Sequence, residues 1–145
     1  MQIGKTAQNA VAAVSYLAEC YRDELGPMSS QAVAEARGLS KPLAAKILTT
    51  LSQAGIIKGS TGPGGGYELA MEPSDIRLLD VVRHFELQNK AVMCPFGEGW
   101  CGNYDPCPLH DNIVKLGEEM EQFLVKNNFG GFAKPGCSSK RPDGA

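Results

Sequence analysis

The 145-residue sequence has no long apolar run, and no stretch approaches the ~18 apolar residues that a membrane-spanning helix requires. The opening residues, M-Q-I-G-K-T-A-Q-N, also lack the continuous apolar segment of a secretory signal peptide. We therefore expect a cytoplasmic protein in a thiol-reducing setting, where disulfides are uncommon. Histidine is scarce, with only two residues, so each is a separate candidate for metal ligation.

The chain also lacks an excess of positive charge. Its formal net charge of −2 and pI near 5.7 argue weakly against nucleic-acid binding by the chain as a whole. The charge is unevenly distributed, however, because residues 38–67 contain Lys41, Lys46 and Lys58 and no acidic residue. Residues 71–145 carry eight basic and eleven acidic side chains. Since local charge steers a polyanion more than the average does, residues 38–67 are the candidate region.

Three of the five cysteines lie in one short segment, spaced Cys94-x6-Cys101-x5-Cys107, and His110 follows at Cys107-x2-His110. Thiolate and imidazole groups can converge on a zinc ion or an iron–sulfur cluster. Glycines and prolines between them favour a loop that wraps a small centre. A helical pattern follows, so Cys107 lies near a helix start, whose N–H groups stabilise an anionic sulfur.

The spacing alone leaves the bound group open. An iron–sulfur cluster and a structural Cys3His zinc site are both consistent with these ligands. A disulfide fits poorly with three cysteines and no signal peptide, and unliganded thiols in a loop are a further alternative. Outside the loop, Cys20 falls near a helical apolar stripe and is expected to be a buried structural residue. Cys137 is expected to be an unliganded thiol.

Two helices joined by a glycine-containing turn are predicted between Ser29 and Gly55. The first runs from Gln31 to Ala36, and the second begins after the cap Ser40 and ends near Ala54. This is the layout of a helix-turn-helix, whose second helix enters a DNA major groove. The residues expected to face outward from that helix are Ser40, Lys41, Ala44, Ala45, Lys46 and Thr49.

Two short strand-like segments follow, Ile56 to Gly59 and Tyr67 to Ala70, on either side of S-T-G-P-G-G-G. A hairpin directly after a helix-turn-helix makes a winged helix, and its glycine-rich tip can approach a phosphate backbone closely. A nucleotide-binding loop would open a helix and carry Lys-Ser/Thr after its last glycine. Tyr67-Glu68-Leu69 follows instead, so that interpretation is rejected.

Apolar periodicity predicts three further helices: Ala7 to Tyr21, Ser74 to His84 with Ser74 as its cap, and one that starts near Leu109. His84 is expected to be a surface histidine rather than a ligand. The chain from Asn128 onward is rich in glycine and proline and is expected to be mobile. The last helix carries a narrow row of apolar residues that is expected to form the dimer interface. This row, here called the apolar row, consists of Leu109, Ile113, Leu116, Met120 and Phe123.

Two runs of residues resemble a known family. The run A-G-I-I-K-G-S-T-G-P-G-G-G-Y-E-L-A, followed by P-S-D-I-R-L-L-D-V-V-R and the three-cysteine loop, closely resembles bacterial winged-helix iron–sulfur regulators of the IscR and NsrR type. The resemblance covers roughly residues 1–128. It implies a homodimer that binds double-stranded operator DNA, and a cluster that senses iron, cluster supply, nitric oxide or redox state.

The resemblance also implies the cluster ligands. The family's cysteines correspond to Cys94, Cys101 and Cys107, and His110 matches the histidine that ligates a [2Fe-2S] cluster in the biogenesis regulators. Nitric-oxide-sensing members use an early aspartate for a [4Fe-4S] cluster, but Gln8 stands near that position. A [2Fe-2S] cluster is therefore favoured over [4Fe-4S]. The first cysteine interval is one residue longer than in the biogenesis regulators, and Thr61 stands where many members carry a basic residue.

These observations predict a mainly α protein with a small β-hairpin wing and a long C-terminal dimerisation helix. Its expected parts are a DNA-binding domain (1–85), a cluster loop (86–108), the dimerisation helix (109–128) and a flexible tail (129–145). We expect a transcriptional regulator, with repression as its mode of action, rather than an enzyme, because no cofactor loop or acid–base pair is found. A zinc-stabilised DNA-binding protein and an iron–sulfur redox protein are the alternatives. The expected DNA contacts are Ser40, Lys41, Lys46, Thr49, Ser60, Thr61, Gly62, Gly64 and Gly65.

Overall fold

The computed structural model describes residues 3–21, 26–85 and 108–133. They form five α-helices, one two-stranded antiparallel sheet and two 3-10 helices. The helices and strands are α1 (Lys5–Glu19), α2 (Ser30–Arg37), α3 (Lys41–Gln53), β1 (Ile57–Ser60), β2 (Gly66–Leu69), α4 (Leu78–Val82) and α5 (His110–Lys126). The 3-10 helices span Pro73–Asp75 and Phe129–Phe132. The predicted class, mainly helical with a hairpin, is confirmed. Within the described residues, no helix has the length and apolar character needed to cross a membrane.

The helix-turn-helix follows from local capping. Ser29 Oγ accepts the backbone N–H of Ala32 at 3.0 Å, and Ser40 Oγ accepts that of Leu43 at 3.3 Å, so each serine satisfies a donor that its helix leaves open. Gly38 ends α2 in the left-handed conformation, with φ +68°. These caps confirm the predicted positions of both helices to within one residue.

Helix α1 lies at the centre of the core and packs against α2, α3 and α4. Its small and apolar side chains, among them Ala10, Ala13, Val14 and Leu17, are almost completely buried. The side chains that α3 contributes from its inner side are Ala44, Ile47, Leu48 and Leu51. Cys20, just after α1, is buried as expected.

The hairpin is tied to the segment before α2. Strand β1 pairs with β2 in the register Ile57↔Leu69, and Met28 pairs with Tyr67 on the other edge of β2. The Tyr67 N–H donates to the Met28 carbonyl at 2.7 Å, and the Met28 N–H donates back at 2.9 Å. A Cβ on Gly66 would lie 2.5 Å from the Met28 carbonyl oxygen, so glycine is required where the two backbones meet.

The helix predicted from Ser74 to His84 is wrong in its first half. Residues 73–75 form a 3-10 helix, Ile76 is extended, and α4 spans only Leu78–Val82, so Ser74 caps nothing. The cause is a long-range pairing. The Leu78 N–H donates to the Asn127 carbonyl at 3.0 Å, and the Ile76 carbonyl accepts the Phe129 N–H at 3.1 Å. His84 is exposed, as predicted.

The same pairing corrects the expectation of a mobile tail for its first residues. Asn128 bridges to Arg77, and residues 129–132 form a 3-10 helix in which the Phe129 side chain is completely buried. The Asn128 side chain accepts the Gly130 N–H at 2.8 Å, which turns the chain into the domain. The remainder of the predicted tail, residues 134–145, and Cys137 lie outside the described residues.

Candidate nucleic-acid interface and metal ligands

The outer face of α3 is the exposed side of the helix-turn-helix. Lys41, Lys46 and Thr49 are exposed there, and Ser40 is exposed at the helix cap. Ala44 is completely buried, so the expectation that it faces outward is wrong. The reason is visible in the spacing, since Ala44 belongs to the three- and four-residue repeat of the inner side of α3.

Two exposed residues of this face were not predicted from the sequence. Pro42 and Gln53 lie on the same side as Lys46 and Thr49, and all four are exposed. Their positions repeat at intervals of four, three and four residues, which is the helical period. That spacing was the available signal, and it places a proline ring and an amide group where DNA contacts are expected.

Two lysines of α3 have no acidic partner in the part of the chain that the structure describes. Among the described residues, neither Lys41 nor Lys46 forms an ion pair. Lys58 on β1 differs, because its Nζ lies 3.4 Å from Glu68 Oε1 on the neighbouring strand. Of the three lysines in residues 38–67, the two on α3 therefore have the charge that is most available to a polyanion.

The tip of the hairpin presents backbone rather than large side chains. Ser60, Thr61, Gly62 and Gly64 are exposed, and both glycines have positive φ angles, +87° and +75°. A Cβ on Gly65 would lie 2.5 Å from the Ser60 carbonyl oxygen, so a side chain there would open the turn. This shape suits close approach to a phosphate backbone.

The three predicted cysteine ligands, Cys94, Cys101 and Cys107, lie outside the described residues. His110 is described: it is the first residue of α5, and its side chain is half-buried. The described residues contain no group of three or more His, Cys, Asp or Glu side chains placed to hold a metal ion. The donor set itself, three thiols and one imidazole within 17 residues, suits an iron–sulfur cluster or zinc. The ligand set stays a prediction.

The apolar residues of α5 fall into two groups, one packed against the same chain and one exposed. Leu124 and Met120 pack against Ala7 and Val82 of the same chain, and Leu124 is almost completely buried. Leu109, Leu116 and Phe123 are each about half exposed, at 47%, 49% and 53%. Of the apolar row, Ile113 and Met120 are half-buried. One edge of the row thus faces its own domain, and the other edge is uncovered in the described part of the chain.

Gln8, which stands near the family's alternative ligand position, is engaged locally. Its side-chain amide donates to the Ile3 carbonyl at 3.3 Å near the start of α1. A carboxamide supplies no anionic oxygen, so this side chain adds no charged ligand.

Comparisons with known proteins agree with this architecture. The chain matches the Rrf2 family, described as iron-dependent transcriptional regulators, over residues 3–134. It is 30% identical over 126 residues to a helix-turn-helix-type transcriptional regulator of Aquifex aeolicus, covering 86% of this chain and 85% of that one. The structure of T. potens IscR is similar, with a TM-score of 0.68 and 27% sequence identity over 89% of this chain and 83% of that chain.

A further structure, CymR, the global cysteine regulator of B. subtilis, has a TM-score of 0.72 and covers 92% of this chain and 99% of that chain. Its sequence identity is 20%, so this likeness shows the fold alone. The family match spans both the helix-turn-helix with its wing and the cysteine segment that precedes α5. The chain belongs to the Rrf2 family of iron-dependent transcriptional regulators.

Proposed function

We propose that this protein is a homodimeric, cytoplasmic transcriptional repressor whose affinity for operator DNA is controlled by an iron–sulfur cluster. The observation that carries the proposal is a pair of lysines on α3, Lys41 and Lys46, that form no ion pair within the described residues, in a helix-turn-helix followed by a glycine-rich hairpin tip. Helix α3 enters the major groove, and the tip from Ser60 to Gly65 contacts the adjacent backbone. The family's role in transcription supports this assignment.

The proposed cluster ligands are Cys94, Cys101, Cys107 and His110. A bound cluster would supply sensitivity to iron, redox state or nitric oxide, because each of these alters its assembly or integrity. The four proposed ligands would hold the cluster. His110 would connect the cluster to α5, because it is the first residue of that helix. The family description, which names iron, supports an iron-containing group at this loop.

Helix α5 provides the connection between the cluster loop and the DNA-binding domain. Its first residue belongs to the proposed ligand set, and its last turn is followed by Asn127, whose carbonyl accepts the Leu78 N–H. In a dimer formed through the apolar row, the position of α5 sets the separation of the two α3 helices. Half-sites about 34–36 Å apart tolerate little change in that separation. The cluster can thus alter affinity without contacting DNA.

The deciding experiment is anaerobic purification of the full chain, followed by metal, sulfide and DNA-binding measurements. We expect a coloured protein with iron and acid-labile sulfide in similar amounts and specific retardation of an operator duplex. A colourless protein with stoichiometric zinc would favour the alternative of a zinc-stabilised DNA-binding protein. A coloured protein without specific DNA retention would favour an iron–sulfur redox protein.

Regulation is tested by titrating operator with holo protein, apo protein and His110→Ala at fixed salt. We expect His110→Ala to lose cluster more readily and to shift operator affinity toward the apo value. His84→Ala is the matched control, because His84 is exposed at the end of α4 and outside the ligand set. Superimposable curves for all proteins would mean that the cluster does not control DNA binding.

A further inference from the structure

The side-chain hydroxyl groups of α3 and its cap already form hydrogen bonds to the backbone of the same helix. The Thr49 hydroxyl donates to the Ala45 carbonyl at 2.8 Å, and the Thr50 hydroxyl donates to the Lys46 carbonyl at 3.1 Å. Ser40 Oγ accepts the Leu43 N–H as the helix cap. Thr49, which sequence analysis assigned to DNA contact, therefore has no free proton to donate to a base.

The hydrogen bond from the Thr49 hydroxyl to the Ala45 carbonyl also fixes the direction of the Thr49 methyl group. When the hydroxyl of a helical threonine bonds to the carbonyl four residues earlier, the side chain is held in one rotamer and the methyl group takes a defined direction. Thr49 is exposed, so its methyl group is available to a ligand. The side chains of positions four apart are neighbours, about 5–6 Å between Cβ atoms. The Ala45 methyl group therefore lies beside it.

The exposed residues around Thr49 are partly apolar. Pro42 is exposed two turns before Thr49, toward the start of α3, and Lys46 supplies a charge beside these groups without a partner among the described residues. The outer face of α3 therefore offers apolar contact area from Pro42 and Thr49. Lys46 places one cation at the centre of this face, and Gln53 places an amide group at its far end. Of Ala45, Lys46 and Thr49, only Lys46 therefore keeps a side-chain donor for a base edge or a phosphate.

We propose that Thr49 recognises the 5-methyl group of thymine in the operator's major groove through its own methyl group, with Ala45 beside it, and not through its hydroxyl. This inference rests on the proposed function, because it requires α3 to enter the major groove. Thymine carries the one apolar group on the major-groove edges of the four bases, and alanine and threonine methyl groups are its typical partners. Lys46 then contacts a neighbouring guanine or a phosphate.

The test begins with selection of binding duplexes from a random-sequence pool, using the anaerobically purified full chain in its holo and apo forms. Each thymidine of the selected half-site is then replaced by deoxyuridine, which removes only the methyl group. We expect about fourfold weaker binding for each methyl group that becomes buried against α3. Replacement at positions outside the α3 footprint should leave affinity unchanged.

Two variants of one residue separate the methyl group from the hydroxyl. Thr49→Ser keeps the hydroxyl and removes the methyl group, whereas Thr49→Val keeps the methyl shape and removes the hydroxyl. We expect Thr49→Ser to lose the preference for thymidine over deoxyuridine and Thr49→Val to retain it. Because Thr49 is exposed, neither change should disturb folding, and the thermal midpoint of each variant checks this.

The outcomes distinguish this inference from the proposed function. If no sequence is enriched and no duplex is bound, operator binding itself is wrong. If an operator is selected but every deoxyuridine duplex binds as tightly as the parent, the thymine contact is wrong and the proposed function stands. Loss of affinity in Thr49→Val, with Thr49→Ser unchanged, would assign recognition to the hydroxyl and overturn the inference.

Discussion

The Arg37 guanidinium joins α2 to α1, with its Nη2 atom 2.6 Å from Glu19 Oε2. The same side chain donates from Nε to the Ala12 carbonyl at 3.0 Å and reaches Ser15 Oγ at 3.2 Å from Nη2. It also lies 5.1 Å from the centre of the Tyr16 ring. One planar cation therefore ties the end of α2 to α1, next to the short turn at Gly38 that leads into α3.

We expect Arg37→Ala to lower the free energy of unfolding by about 1–3 kcal/mol, because it leaves a partly buried carboxylate and hydroxyl without their donor. Arg37→Lys should recover only part of this loss, since an ammonium group lacks the planar fork that reaches several acceptors. Urea unfolding of both variants measures the effect. Equal stability of Arg37→Ala and the parent protein would contradict the role given to this contact.

Phe129 and Phe132 form a matched pair. Phe129 is completely buried in the main hydrophobic core, whereas Phe132 is 42% exposed. We expect Phe129→Ala to cost about 3–5 kcal/mol, the usual range for removing a buried phenylalanine. Phe132→Ala should cost much less, because its side chain already contacts solvent. Similar losses in the two variants would mean that the 129–132 segment does not pack as described.

Several features of this fold were predictable because they depend on neighbours in sequence. The caps Ser29 and Ser40 and the left-handed Gly38 act within one helical turn, and they placed α2 and α3 correctly. The apolar periodicity of residues 76–85 was equally visible, yet it produced a helix twice too long. The periodicity could not show that Ile76 and Leu78 give their backbone groups to residues 127–129.

Composition gave a wrong prediction for the segment around Phe129. Glycines around Phe129 suggested mobility, but a single buried aromatic ring and the Asn128 turn are enough to hold that segment. On α5, the apolar row was predicted to be the dimer interface, and that stays a prediction. The sequence did not show that Met120 also packs on its own domain beside Leu124, because the residues that it contacts there, Ala7 and Val82, are distant in sequence.

Asp80 makes stability depend on pH. Its carboxylate accepts hydrogen bonds from the Arg77 side chain and backbone N–H at 2.9 and 3.0 Å, and the Arg77 side-chain hydrogen bond is the main reason that the pKa of Asp80 is lowered. A carboxyl whose folded pKa lies below its unfolded value of about 3.9 stabilises the fold above that pH. The contribution is lost as the pH falls through the folded pKa.

We therefore expect Asp80→Asn to be less stable than the parent by about 1 kcal/mol at pH 7, the usual value for a helix N-terminal capping interaction. The difference should shrink below about pH 4, because the parent carboxyl is then protonated as well. Urea midpoints measured across this range test the sign. Asp75→Asn is the control, since Asp75 is exposed and should change stability by less than about 0.5 kcal/mol at any pH. A pH-independent difference for Asp80→Asn would contradict the assignment.

Lys41 and Lys46 should contribute to DNA affinity through phosphate contacts. Each lysine that neutralises a phosphate contributes about 0.9 to the slope of log affinity against log salt. We expect Lys41→Ala and Lys46→Ala to weaken binding and to reduce that slope. Lys115→Ala on the exposed side of α5 is the control and should change neither quantity. Unchanged affinity and slope in both α3 variants would mean that another face contacts DNA.

The last prediction concerns the uncovered edge of the apolar row. Leu116 and Phe123 are two helical turns apart on α5 and about half exposed, whereas Met120 and Leu124 between and beside them contact the chain's own domain. Charging Met120 would therefore disturb folding as well as assembly. Leu116→Glu combined with Phe123→Glu is the more specific change, because those two side chains are the most exposed of the apolar row.

We expect this double variant to be a folded monomer by light scattering, with a circular dichroism spectrum like that of the parent protein. Its operator affinity should also fall, because a monomer places only one α3 helix on the DNA. Val125→Glu is the matched control: Val125 is 38% exposed but lies on the opposite side of α5, so this variant should remain dimeric. If the double variant remains a dimer, the two chains meet elsewhere, and α5 could not set the separation of the α3 helices as proposed.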